Sequence, residues 1–322
     1  MRRVLSKSKC FLSAFLAGVM LMLGASESIQ VNASDKVTSL ECDSKYSKDD
    51  EMTVRGAVIW PIKDTVMHDN KGNVVAIISA GTPLKAMCHA NGYFKVYYEK
   101  KTGLVDSSIC MINLPNVMQK EMEYDITNSY SSIYKIHGYD IEGVTGEVLY
   151  PYAKTGDESY LVPLLYPVAV QLYEAEKDAL ERGYTLKVYD AYRPYVVTKE
   201  IYAKTSNFVA EDPIYAEYMT APVEGVSYGQ SNFLAKSVSN HNYGVAVDIT
   251  LVSLATGKEL SMQSPMHELS TRSVLALNNE NADLLAEIMT ANGFGGLVSE
   301  WWHFQIRDYR TSYAAFQVKP WK

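Results

Sequence analysis

The sequence predicts an α+β protein. A small all-β domain occupies residues 52–114. Residues 120–322 follow as a mixed or antiparallel sheet with flanking helices. Three observations predict it. Short apolar runs separated by turn residues crowd the first segment. Helical and strand-like periodicities mix in the second without a strict β-α-β alternation. The chain of 322 residues is also long enough for two domains.

Taken in order, residues 1–9 (MRRVLSKSK) carry only positive charge, and 10–24 (CFLSAFLAGVMLMLG) are uncharged and mainly apolar. That is the pattern of an export signal, and the apolar run is shorter than the roughly 18–20 residues that span a bilayer. Small residues at Ala25 and Ala33 offer cleavage points, so 1–33 reads as a signal peptide and the remainder as exported, with no stable membrane span. Removing 1–33 takes away four basic residues and one acidic, and moves the net charge from −7 to −10. Polar residues 34–51 read as a linker. Five short strands follow, punctuated at Lys71-Gly72-Asn73, Ala80-Gly81-Thr82 and Asn91-Gly92. Beyond them, Leu165, Val168, Ala169, Leu172, Ala175 and Ala179 recur at helical spacing, with Gly183 as the stop. Residues 185–192 read as a strand, 195–205 as a helix, 245–252 as a buried strand, 281–292 as a helix closed by Gly293, and 302–308 as a strand.

Composition excludes several classes. With 47% hydrophobic and 21% charged residues, the chain is not disordered. Its acidic balance argues against nucleic acid as a partner. Cys42, Cys88 and Cys110 would remain after export and fit no four-thiolate metal spacing. An oxidising compartment allows one disulfide among them, Cys88–Cys110 by first reading or Cys42–Cys110. Tyrosines outnumber phenylalanines 24 to 8, which points to wet, semi-exposed aromatic surfaces.

Of the six histidines, His68, His89 and His137 stand alone and read as surface or turn residues. The rest belong to denser patterns. In Ser239-Asn240-His241-Asn242-Tyr243-Gly244-Val245-Ala246-Val247-Asp248, a loop entering a strand can bring His241 and Asp248 to one point. Imidazole nitrogen and carboxylate oxygen are both zinc ligands. In Glu300-Trp301-Trp302-His303, a strand beginning at His303 with Glu300 in the preceding turn would set a carboxylate beside a metal. A catalytic zinc takes three protein ligands and leaves a position for water, whose proton goes to a nearby base.

Together, Ser-x-His-x-x-Gly-x-Ala-x-Asp and the later Glu-x-x-His resemble the zinc D-Ala-D-Ala peptidases. The Glu-Trp-Trp-His form and Asp190-Ala191-Tyr192-Arg193-Pro194 are similar to the D-alanyl-D-alanine dipeptidase branch, over about 120–320. The resemblance implies one zinc per chain on His241, Asp248 and His303, with Glu300 as general base and then acid. It implies Arg193 as the cation that stabilises the oxyanion, and Ser239 and Tyr124 as substrate-binding residues. Its substrate would be the D-Ala-D-Ala dipeptide or a peptidoglycan stem peptide. One departure stands out. Where this branch has an acid after Pro-Phe to hold the dipeptide ammonium, the chain reads Pro265-Met266-His267-Glu268. His267 fills that position, with Glu268 next door as a substitute. Because export also separates the protein from free cytoplasmic dipeptide, a D,D-carboxypeptidase trimming stem peptides is the alternative. A hydrolase of another amide and a non-catalytic wall-binding module are further readings. Residues 80–108 (AGTPLKAMCHANGYFKVYYEKKTGLVDSS) resemble a bacterial SH3-like barrel, which implies attachment to cell-wall peptide.

Overall fold

Turn chemistry shapes the first sheet in the computed structural model, which describes residues 52–118, 123–124, 133–145 and 161–310. The expected signal and linker lie outside the described residues. Seven strands arise from the first segment: β1 (Val58–Pro61), β2 (Thr65–His68), β3 (Val74–Ile78), β4 (Leu84–Ala90), β5 (Tyr93–Tyr98), β6 (Lys101–Asp106) and β7 (Cys110–Asn113). Asn91 and Gly92 both take positive φ and close the β4–β5 hairpin in two residues, as their sequence signals. Glu99 and Lys100 do the same between β5 and β6, without a glycine to announce it. At Gly103 a Cβ would fall 2.4 Å from Met67 Cγ and 2.7 Å from the His68 carbonyl, so only glycine lets β2 pair with β6. A short helix α1 (Leu114–Met118) ends the segment.

The pairing does not close into the expected barrel among the described residues. It runs as an open order, β11-β7-β1-β4-β5-β6-β2-β3, and its first member, β11 (Pro163–Leu165), comes from the second segment. The Asn113 side chain accepts from Val162 N–H at 2.8 Å, and Leu114 N–H donates to the Val162 carbonyl at 3.0 Å. The β-rich segment is thus hydrogen-bonded into the rest of the chain.

Cysteine pairing also differs from expectation. Cys88 on β4 is disulfide-bonded, whereas Cys110 on β7 is a free buried thiol whose Sγ donates to the Asp106 carbonyl at 3.3 Å. Strand β1 lies between β4 and β7. Two strand spacings are about 10 Å, beyond disulfide reach. Both expected bridges to Cys110 are therefore wrong, and the partner of Cys88 lies outside the described residues.

The second sheet is mixed. Strands β12 (Tyr184–Asp190), β13 (Ala246–Ser253) and β16 (Glu300–Gln305) form its centre. Strand β15 (Gly295–Leu297) borders β16, β14 (Lys258–Glu259) pairs with β13, and β8 (Glu123–Tyr124) runs parallel to β12. A separate hairpin joins β9 (Ile133–Ile136) to β10 (Tyr139–Thr145).

Helix α2 (Tyr166–Glu181) buries the face expected of it, with Val168, Ala169, Leu172, Ala175 and Ala179 inside, and Gly183 follows at φ +84°. Glu176 shares that buried face. Its two oxygens accept from Thr185 Oγ1 and Leu186 N–H, each at 2.7 Å, and so lock the helix to β12. Helix α3 (Tyr195–Glu211) outruns the expected 195–205, because nothing breaks it before Asp212 caps α4 (Pro213–Thr220). After the short α5 (Gln230–Phe233), helix α6 (Glu280–Ala291) starts at the side-chain cap of Asn279. Helix α2 packs on β12, and α6 covers β13, β15 and β16. Val247, Ile249 and Leu251 of β13 belong to the hydrophobic core, while Asp248 and Thr250 alternate with them. No helix among the described residues is long and apolar enough to cross a membrane.

The lone histidines divide. His68 Nδ1 contacts the Gly72 carbonyl in a turn, and His137 sits at φ +51° in the β9–β10 turn, both as read from sequence. His89 is half-buried on β4. It packs between Phe94 and Tyr166 with Nε2 3.1 Å from Ser107 Oγ, and burial lowers its pKa.

Gly244 ties the two sheets together. It sits at φ +68°, its carbonyl accepts from Leu165 N–H at 2.9 Å, and a Cβ there would lie 3.0 Å from Met111 Cε. Gly183 has a similar φ, with nothing within 4 Å. We expect Gly183→Ala to cost about 1–2 kcal/mol from backbone strain alone. Gly244→Ala should cost more, because strain and crowding add. Denaturant unfolding of the two variants checks this, and an equal or smaller loss at Gly244 would contradict it.

Candidate active site

Three neighbouring strands bring charged residues into one row. Asp248 of β13 lies directly opposite His303 of β16 on one side and Asp190 of β12 on the other. A register shift between Val188 and Asp190 re-aims the end of β12. Two facing carboxylates repel, and Arg193 separates them. Its Nη2 lies 2.6 Å from Asp190 Oδ2 and 3.4 Å from Asp248 Oδ2.

His241 reaches the row from a 3-10 turn, Asn240–Tyr243, that ends at Gly244. The turn is fastened to the loop carrying Arg193. Arg193 N–H donates to the His241 carbonyl at 3.2 Å. Asn242, fully buried, donates from Nδ2 to the Arg193 carbonyl at 2.6 Å and to Thr198 Oγ1 at 2.9 Å, and its Oδ1 accepts from Ser239 N–H at 2.7 Å.

His241 Nε2, His303 Nδ1 and Asp248 Oδ1 stand 3.2, 3.3 and 3.2 Å from one another. Ligand atoms about 2.0–2.1 Å from one tetrahedral ion are about 3.3–3.4 Å apart, so the triangle has the size of one face of such a shell. Its chemistry fits as well. His241 Nδ1 donates to the Ala191 carbonyl at 2.7 Å, which leaves Nε2 a lone pair. His303 Nε2 donates to Gln305 Oε1 at 3.1 Å, which leaves Nδ1 a lone pair. Turning the Gln305 amide over would let its oxygen accept from Arg307. That orientation suits only the His303 tautomer with no Nδ1 lone pair, so a metal selects the first. Three lone pairs then converge, and the point they share calls for a cation. Among the described residues, these three form the cluster with metal-ligand spacing.

Asp248 is 2% exposed. Burial alone would raise its pKa. With protons rather than a metal on the two imidazole nitrogens, charge on His241 and hydrogen bonds from His241, His267 and His303 outweigh that and hold it well below the ordinary carboxylate range; a cation in the triangle would take the place of those protons. Glu300 behaves oppositely. Burial, helped by Asp248, pushes it up to about 7 against the pull of His303 and Arg193. Its Oε2 is 3.8 Å from His303 Nδ1. Glu300 is not in a turn, as the sequence suggested, but opens β16. Residues three apart on a strand normally face opposite ways. The register shift in the β15–β16 pairing brings Glu300 round to the side of His303.

These residues line a pocket of about 260 Å³ together with Tyr134, Ser239, His267 and Trp302. Ser239 Oγ and Tyr134 Oη are buried and have no hydrogen-bond partner among the described residues. Tyr134 was absent from the sequence reading. The signal that would have found it is spatial, a ring stacked 4.6 Å from that of His267. His267 sits at φ +58°, 1% exposed, with Nε2 3.1 Å from Asp248 Oδ2. Glu268 does not reach the pocket. It turns to the β9–β10 turn, where it accepts from the backbone N–H groups of His137 and Gly138 and from Ser270 Oγ. Tyr124 lies in β8 beside Val188, two residues short of Asp190 on β12; its side chain lies outside the described residues.

Comparisons with known proteins bear on this site. Residues 143–319 match the family model described as D-ala-D-ala dipeptidase. A D-alanyl-D-alanine dipeptidase of Enterococcus faecium is 31% identical over 165 residues, which is 48% of this chain and 79% of that protein. One from Escherichia coli (strain K12) is 31% identical over 172 residues, 51% of this chain and 74% of that one. The solved structure of VanYB in complex with D-Alanine-D-Alanine covers 56% of this chain and 91% of its own at 17% identity. Its TM-score of 0.29 is too low to bear on the fold.

The Asn242 bridge yields an expectation. Asn242→Ala strands the Ser239 N–H and the Arg193 carbonyl in a buried site, at a cost of about 1–3 kcal/mol. Chemical denaturation measures it, and a neutral substitution would remove the bridging role.

Proposed function

The chain belongs to the D-Ala-D-Ala dipeptidase family, and from that premise we propose that it is a zinc peptidase that hydrolyses the D-alanyl-D-alanine bond in cell-wall metabolism. The single observation that carries the reading is the convergence of three lone pairs, on His241, Asp248 and His303, beside the buried carboxyl of Glu300. One zinc per chain would be held by those three residues. When bound, it supplies a Lewis acid that acidifies water and polarises the peptide carbonyl. Glu300 takes the proton from the attacking water and hands it to the leaving nitrogen. Arg193, fixed by Asp190, sets a permanent cation against the oxyanion. The unused hydroxyl of Ser239 is positioned to bind the substrate.

Two expectations follow from these roles. The purified protein should bind about one equivalent of zinc by metal analysis, and His303→Ala should abolish it; an empty wild-type site contradicts the reading. Glu300→Gln should keep the zinc and lose activity by about 10²-fold or more, with retained turnover removing Glu300 as base.

The stem-peptide alternative has its own observation. Asp248 and Glu300 are the carboxylates in the pocket lining among the described residues, and His267 stands where the family resemblance places an acid for the dipeptide ammonium. A site without a spare acid favours an acyl side that continues as peptide over one that ends in a charged amine. Mass spectrometry of products from free D-Ala-D-Ala and from a pentapeptide muropeptide separates the readings. Rapid cleavage of the dipeptide with the pentapeptide untouched refutes the carboxypeptidase.

The same proposal covers export and wall attachment. The charged-then-apolar N-terminus supports export, and a disulfide on Cys88 suits an oxidising compartment. The resemblance of residues 80–108 to SH3-like domains supports wall binding by the first sheet.

A further inference from the structure

In the reaction set out above His267 has no task, yet the fold holds it more firmly than most of the pocket wall. It sits at φ +58°, a region that a non-glycine residue enters only when its surroundings keep it there. Its backbone is tied to β9. The Lys135 N–H donates to the His267 carbonyl at 3.1 Å, and the Leu269 N–H donates to the Lys135 carbonyl at 2.7 Å. The fully buried Glu268 carboxylate then grips the β9–β10 turn through the backbone of His137 and Gly138. The ring is enclosed as well. It stacks on Tyr134 with centroids 4.6 Å apart, and it stands nearly perpendicular to Trp302 and Tyr189 at 5.9 and 6.4 Å.

What this enclosure aims is one nitrogen. His267 Nε2 lies 3.1 Å from Asp248 Oδ2. An ionised carboxylate only accepts, so the imidazole carries the proton on Nε2 and donates it. Arg193 Nη2 is the longer contact to that oxygen, at 3.4 Å. Oδ1 of the same carboxylate faces His241 Nε2 and His303 Nδ1 at 3.3 and 3.2 Å. The two oxygens therefore have separate surroundings, one in the triangle and one turned toward donors. Without such donors a carboxylate is free to offer a metal one oxygen or both. A second oxygen on the ion would compete for the position a catalytic zinc keeps for water.

We propose that His267 is a positioning residue for Asp248. By donating to Oδ2 it keeps the carboxylate turned so that Oδ1 alone faces the ion and one position stays open. The inference rests on the zinc reading above. Outer hydrogen bonds of this kind orient a metal's ligands and raise its affinity.

Two substitutions separate the donor from the ring. His267→Gln supplies an amide N–H in place of Nε2 but no ring, whereas His267→Phe keeps the ring on Tyr134 but has no donor. We expect His267→Phe to lose zinc affinity by about 10- to 100-fold, read by competition with a chelator, and His267→Gln to recover most of the loss. With cobalt(II) in place of zinc, wild type should show the strong visible absorption of a four-coordinate site. In His267→Phe that absorption should weaken as the second oxygen joins. A role in packing alone predicts the reverse order, with the Phe variant tight and the Gln variant weak. Melting of the metal-free proteins is read alongside. A variant that melts earlier without metal yet binds zinc as wild type does, or a His267→Phe with unchanged zinc affinity and cobalt spectrum, overturns the positioning role and leaves the zinc reading standing. A wild type that binds no zinc overturns both.

Discussion

A carboxylate taken out of water must find positive charge or donors for both oxygens, and that need organises the surroundings of Asp248. Its Oδ1 faces the two imidazoles that complete the metal triangle, and its Oδ2 faces His267 and Arg193. Each partner arrives from a different part of the chain: a strand, a 3-10 turn, a loop and the end of β12. Satisfying one buried charge therefore assembles the site. Arg193 has two tasks in this arrangement. It keeps Asp190 and Asp248 from repelling each other, and it presents a cation to the pocket.

Opposite shifts at the two acids divide their labour. Asp248 is held ionised by its neighbours, which suits a ligand. Glu300 is pushed up to about 7 by burial, which suits a group that takes and returns a proton near neutrality. A dication nearby would pull Glu300 back down. The glycine of the His-x-x-Gly motif adds a mechanical link. By packing against Met111 and bonding Leu165, Gly244 joins the loop that holds His241 to the first sheet, which thereby buttresses the site.

Much of the site could be read from residue order. His241, Asp248, His303, Glu300 and Arg193 lie in short motifs, and the structure gathers them in one pocket. The helical face of α2 and the buried strand β13 were legible because periodicity reports which side meets the core. Other features were not. Glu176, His89 and Tyr134 are polar or aromatic residues with no local pattern, and each is defined by a partner on a different element. Glu268 shows the converse. Its sequence neighbour faces the pocket, yet its own carboxylate is consumed by a backbone turn more than a hundred residues earlier.

The sequence by itself determined the ligand types, their spacing, and the helix and strand periods, because these depend on side-chain chemistry and local backbone geometry. Only the tertiary structure decided register and strand order. Register brought Asp190, Asp248 and His303 into one row and turned Glu300 toward His303 through a shift in pairing. Strand order set β1 between Cys88 and Cys110 and added β11 to the first sheet. Those outcomes follow from which long-range hydrogen bonds and buried charges can be satisfied together, and no short stretch of residues contains that information.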